Sequence, residues 1–217
     1  PDDETLAAGG TLNKLTEAGC DVHVAIPNTG VYSRKNKIEK NKLDIQYKEI
    51  KKNTIQAMDV LGVKPEKIYF GEFADNQIDK YPRLDLIQWF EKIISEVNPK
   101  LVLTHHRFCT NIDHQYCHEA AVVACRPSIN RHITILCGEV PSSTGYLKPT
   151  GWDPNVFVEL SKPHIDAKIK SMKQYEGEAR KDPHPRSGEV LRSLAKVRGS
   201  ESGFYFAEAF MMHSTFQ

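Results

Sequence analysis

The 217 residues contain no run of about 20 apolar residues, the length a helix needs to cross a bilayer, and no signal-peptide pattern opens the chain. A surplus of one charge is also missing. Lys and Arg number 29 against 28 Asp and Glu, for a formal net charge of +1. Nothing therefore pulls the chain toward nucleic acid or an anionic membrane surface, and a polyanion-binding role is set aside. The five cysteines, Cys20, Cys109, Cys117, Cys125 and Cys137, are odd in number and include no C-x-x-C pair. They read as reduced thiols of a cytoplasmic protein rather than as a disulfide framework. No G-x-G-x-x-G follows a strand-like run, which argues against a nucleotide-dependent oxidoreductase; Gly9-Gly10 lies inside a helical pattern instead. Internal repeats and low-complexity tracts are absent, and 40% apolar with 26% charged residues fits a single globular domain over residues 1–217.

What is present is an alternation of helical and strand-like segments. Apolar periodicity and stop signals predict helices over residues 4–18, 43–61, 84–97, 113–125, 163–178 and 187–197. Short β-branched runs predict strands over 21–27, 67–70, 101–104, 132–136 and 204–212. Polar or Pro-rich stretches at 28–41 and 141–154 read as loops, and 182–186 reads as an extended break. Strands separated by helices in this rhythm point to an α/β fold with a mostly parallel sheet flanked by helices.

In such sheets ligands bind at the carboxyl ends of the strands. Two polar clusters fall at such places: Asp2-Asp3-Glu4 before the first helix, and His105-His106 through Asp113-His114 after the 101–104 strand. Asp3 and His114 offer the carboxylate oxygen and imidazole nitrogen that a catalytic zinc takes while keeping a position open for water. Asp2 beside them is a candidate general base. The competing explanation is that Asp2 and Asp3 simply cap a helix N-terminus, which is the commoner use of acidic residues there. His114 and His118 share one helix face but lack the intervening Glu of a zincin, so His118 reads as packing or hydrogen bonding within its helix. His105 and His106 at a strand end are suggestive, although such a pair is often a satisfied loop feature. Arg34, His184 and Arg186 are candidates for the substrate-binding wall; the Pro-flanked segment that carries His184 and Arg186 reads equally well as a rigid linker.

Pro1-Asp2-Asp3-Glu4 with Gly9-Gly10-Thr11 resembles the opening motif of the PIG-L/LmbE family of zinc-dependent N-acetylglucosaminyl deacetylases, which reads His-Pro-Asp-Asp-Glu and then Gly-Gly-Thr. Thr110-Asn111-Ile112-Asp113-His114 matches a second family motif, a polar loop ending in Asp-His. Further similarity runs through Asp75-Asn76, Ala124-Cys125-Arg126-Pro127, Arg198-Gly199 and Ala207-Glu208-Ala209-Phe210, nearly the length of the chain. Cys109-Thr110 stands where relatives usually carry Asp-Leu, and 143–146 departs from a frequent Thr-Glu-Trp.

The resemblance implies a Rossmann-like α/β fold, Zn2+ as cofactor and removal of acetyl from an N-acetylated amino sugar or its conjugate. Asp3 and His114 would be zinc ligands, Asp2 the general base toward a zinc-bound water, Asn111 a hydrogen-bond donor to the oxyanion, and Asp113 an orienting neighbour. A homo-oligomer is compatible with it. The motif's leading His would precede Pro1, at the end of a first apolar strand that the sequence as given lacks. The expectation is therefore a strand of about 5–8 apolar residues ending in His upstream of Pro1. The alternative reading is a non-catalytic sugar- or nucleotide-binding protein on the same fold.

Overall fold

The computed structural model describes residues 1–28, 30, 40–148 and 151–216. Its elements in order are α1 (Asp3–Glu17), β1 (Val24–Ile26), α2 (Lys40–Val60), β2 (Ile68–Phe70), α3 (Arg83–Val97), β3 (Leu101–His105), α4 (Ile112–Ala124), β4 (Thr134–Gly138), β5 (Val156–Glu159), α5 (Lys162–Met172), α6 (Gly188–Ser202) and β6 (Ala207–Ser214). Local chemistry sets the helix ends. Gly19 and Gly62, at φ of +80° and +83°, turn the chain after α1 and α2, and Asn98 at φ +50° stops α3 before Pro99. Asn111 and Ser187 cap α4 and α6 with their side-chain oxygens.

The α/β reading holds, with open sheets. β1 pairs with β2 in parallel, and β3 pairs with β4 in parallel. β6 then lies between β4 and β5 and runs antiparallel to both, giving the order β3-β4-β6-β5. The parallel expectation thus applies to the first half of the fold. Two helices, α5 and α6, intervene between β5 and β6, and the chain re-enters the sheet at the end where β5 left it, with Glu159 opposite Ala207. Three segments depart from the sequence reading. β5 falls in a stretch assigned to no element, the helix expected over 163–178 ends at Met172, and residues 182–186 form successive turns rather than an extended break. A cis Asp182–Pro183 bond lies in those turns.

α1 is fastened to the sheet by its own backbone. The Glu208 carboxylate on β6 accepts from Gly10 N (3.0 Å) and Thr11 N (2.7 Å), and Lys168 Nζ from α5 closes the group at 2.6 Å. A Cβ on Gly10 would stand 2.5 Å from Leu160 Cδ1, so any larger residue there would make that leucine side chain shift. Phe210, Leu6, Met58 and Leu61 are fully buried around this junction.

β1 and β3 do not pair with each other. Between them lies a cavity of about 1140 Å³, walled by Val24 and Ile26, Leu101 and Leu103, Leu12 of α1 and Ile94 of α3. One end of it opens onto Asp3, His105 and His114. All five cysteines are free thiols, and no helix among the described residues is long and apolar enough to cross a membrane.

Candidate metal centre

The N-terminus of α1 brings Asp2 and Asp3 to the carboxyl end of β3, where His105 ends the strand and His114 lies in the first turn of α4. Asp3 Oδ2 stands 2.7 Å from His114 Nε2 and 3.4 Å from His105 Nε2. The two imidazoles stack with centroids 4.1 Å apart and planes 22° apart. One oxygen and two nitrogens, all within 4.8 Å of one another, form the kind of donor set that zinc accepts while leaving a position open. The residues fit the metal.

Electrostatics bind the cluster together. Burial opposes ionisation of Asp3, but the charge and hydrogen bonds of His114 and His105 overcome it and hold the carboxyl well below its usual range. Burial likewise opposes protonation of His114, yet Asp3, helped by Cys109, raises its pKa to about 10. A metal must displace that proton, so binding it releases acid.

Asp2 is arranged differently. It occupies the left-handed region at φ +96°, an uncommon place for a non-glycine residue, and its side chain makes no capping hydrogen bond. Capping therefore does not account for it. Its carboxyl is buried, and Oδ2 accepts no hydrogen bond of good geometry, although Arg186 Nη1 lies 3.2 Å away. Burial first, and the neighbouring Asp3 second, push its pKa well above the ordinary carboxylate value against the opposing pull of Arg186. Arg186 also pairs with Glu178.

Asn111 lines the cavity, and its Oδ1 accepts from Asp113 N at 2.9 Å. That bond fixes the amide so that Nδ2 is left to donate. Asp113 turns away from His114 toward the loops. Its carboxylate accepts from Asn28 Nδ2 (2.9 Å), Asn76 N (2.5 Å) and Ile78 N (3.2 Å), joining the carboxyl ends of β1 and β2 to α4. Burial pushes its pKa up while the two backbone N–H groups oppose the shift.

Of the substrate-wall candidates, Arg186 reaches the site and His184 is exposed at the rim, its Nδ1 accepting from Arg186 N at 3.1 Å. Arg34 lies outside the described residues. His118 is packed in the interior as expected, and its Nδ1 meets the carbonyl of His105 on β3 at 2.9 Å rather than bonding within α4. His105, which sequence reasoning noted without placing, joins the cluster. His106 faces away, buried edge-on against Phe108 and Trp152. The alternation of a strand sends these two neighbours to opposite sides, a signal present in the sequence.

The α/β scaffold thus carries at its strand ends a carboxylate–imidazole cluster that could hold a metal ion. Residues 1–125 match the PIG-L family, described as GlcNAc-PI de-N-acetylase, and the chain belongs to this family. It is 26% identical over 220 residues to the diacetylchitobiose deacetylase of Thermococcus kodakarensis, covering 96% of this chain and 78% of that one. Among solved structures it resembles the N,N'-diacetylchitobiose deacetylase of Pyrococcus horikoshii complexed with its inhibitor MPG. The TM-score is 0.75 at 20% identity, over 98% of this chain and 80% of that one. It also resembles GalB, the 4-carboxy-2-hydroxymuconate hydratase of Pseudomonas putida, with a TM-score of 0.76 at 18% identity over 99% and 93%. One fold thus serves a deacetylase and a hydratase, so the reaction is argued from the site.

Proposed function

We propose that this protein is a zinc-dependent amidohydrolase that removes acetyl from an N-acetylated amino sugar or its conjugate. The observation that carries this reading is the buried Asp2 carboxyl, free of capping, beside the convergent Asp3, His105 and His114. Asp3 and His114 are the assigned ligands, and His105 supplies the third donor within reach among the described residues. Bound there, zinc supplies Lewis acidity and makes water a nucleophile near neutral pH.

The chain's own residues do the rest. Asp2 takes a proton from the attacking water at its carboxylate and passes it to the leaving amine nitrogen; its raised pKa brings the carboxyl closer to neutral pH, where such a transfer is efficient. Asn111 Nδ2 donates to the oxygen of the acetyl carbonyl as negative charge develops on it. Arg186 opposes permanent protonation of Asp2, and with His184 it offers donors to sugar hydroxyls at the rim. Asp113 keeps the loop carrying Asn28 and the loop carrying Asn76 against α4. The relative's activity on an acetylated sugar supports the substrate class.

The test is release of free amine and acetate from a panel of N-acetylamino sugars, nucleotide-linked sugars and lipid-linked sugars, with zinc supplied and then chelated. Chelator-sensitive release is expected. Tight sugar binding with no release from any member, at full zinc loading, would replace this reading with that of a non-catalytic binding protein.

A further inference from the structure

His114 presents Nε2 to Asp3, and its other nitrogen does not meet a carboxylate. Nδ1 lies 2.9 Å from Cys109 Sγ. The sulfur is fully buried on the turn between β3 and α4. Gln115 Nε2 donates to the Cys109 carbonyl at 2.8 Å, and Cys109 N donates to the His106 carbonyl at 3.2 Å, so the turn that holds the sulfur is itself pinned at both backbone groups. The Asn111 N–H and the Ser143 hydroxyl also face the sulfur, the hydroxyl without reaching good hydrogen-bond geometry.

A histidine ligates a metal only through a nitrogen carrying a lone pair. If Nε2 is to bind, Nδ1 must hold the ring proton and needs an acceptor for it. In this chain the atom placed to accept is a sulfur. We propose that Cys109 is the positioning residue of the metal centre, its sulfur accepting the His114 Nδ1–H and so fixing the tautomer and ring plane that aim Nε2 at the metal. The inference rests on the metal-centre reading above. Cys109 is not itself a ligand in it, because the sulfur lies on the far side of the imidazole from Asp3.

Two kinds of measurement test it on the full chain. Zinc affinity, by competition with a chromophoric chelator, is compared for the wild type, Cys109→Ala, Cys109→Ser and Cys109→Asp. Loss of an orienting partner of a metal-bound histidine typically costs about 10–100-fold in affinity. Cys109→Ala is expected to fall by that amount, and Cys109→Asp, which restores an acceptor, is expected to recover most of it. A role in packing alone predicts the reverse order, with the buried carboxylate worse than alanine, and that result would overturn the proposal. The second readout is the pair of ring-nitrogen shifts of His114 in the zinc-loaded protein by 15N NMR. Nδ1 protonated and Nε2 metal-bound is expected, with the Nδ1–H signal displaced in Cys109→Ala. An unchanged Nδ1–H signal would also overturn it. Cobalt substitution settles the ligand question: an intense sulfur-to-cobalt charge-transfer band lost in Cys109→Ser would make Cys109 a ligand and refute the positioning role. Failure of the underlying reading looks different, because His114→Ala would then retain wild-type zinc affinity.

Discussion

The guanidinium of Arg186 stands 3.2 Å from Oδ2 of Asp2, against a carboxyl that burial and Asp3 both drive toward protonation. Arg186 thus pulls against the protonation that burial and Asp3 favour. Replacing it by Met, which keeps much of the stem, should raise the Asp2 pKa further. A base works only when deprotonated, so the acid limb of the kcat/KM profile should move to higher pH while zinc content stays at the wild-type level. An unmoved acid limb would separate Arg186 from Asp2.

The two adjacent carboxyls should fail in different ways. Asp2→Asn should retain zinc and lose about 10²-fold or more in turnover, the usual weight of a general base. Asp3→Ala should lose the metal itself. Metal analysis beside single-substrate kinetics distinguishes them, and two fully active variants would return both residues to helix-end duty.

His105 carries the third nitrogen of the cluster. If it ligates, His105→Ala should lower zinc affinity by an amount comparable with His114→Ala in a chelator competition. Retention of wild-type affinity would move His105 from ligand to neighbour and leave a third protein donor to be found elsewhere.

Acid stability should bear the mark of His118. Burial, against the pull of the His105 carbonyl, lowers its pKa to about 4 from 6.5. Between those values the unfolded chain binds a proton that the folded chain excludes, so stability falls as pH drops through this window. His114 runs the other way: its contribution is full below its unfolded value of 6.5 and is lost as pH rises through about 10 in the metal-free protein. His118→Asn should flatten the slope of unfolding free energy between pH 4 and 6.5 in urea titrations.

The ion pair between Lys168 and Glu208 is buried on both sides. Lys168→Met leaves a carboxylate without its cation and should cost about 3–5 kcal/mol, as broken buried pairs do. Because Glu208 also accepts from Gly10 and Thr11, Glu208→Gln should cost less than Glu208→Leu in denaturant titrations.

Much of this was readable in sequence, for local reasons. Gly19, Gly62 and Asn98 mark helix ends because each needs a left-handed backbone, and that need is independent of the rest of the fold. That Asp3 and His114 would meet was legible from the two family motifs that carry them, each placed beside a strand end. β5 was not, because four residues between polar neighbours carry too short a pattern. The turn of β6 against its neighbours and the contact from Arg186 to Asp2 depend on distant segments meeting, which periodicity does not encode. For Asp2, residue type alone leaves a base and a helix cap both open, and only the left-handed backbone removes the side chain from capping.

The carboxylate of Asp113, holding Asn28, Asn76 and Ile78 at once, acts as a cross-link without a covalent bond. Loops tied to one atom pair cannot breathe separately. The amides of Asn76 and Ile78 become exchangeable with solvent deuterium only when that carboxylate lets go, while the first turn of α4 keeps its separate Asn111 cap. The loop after β1 and the loop after β2 therefore share one opening event, and a ligand that stiffens one of them slows exchange in the other as well.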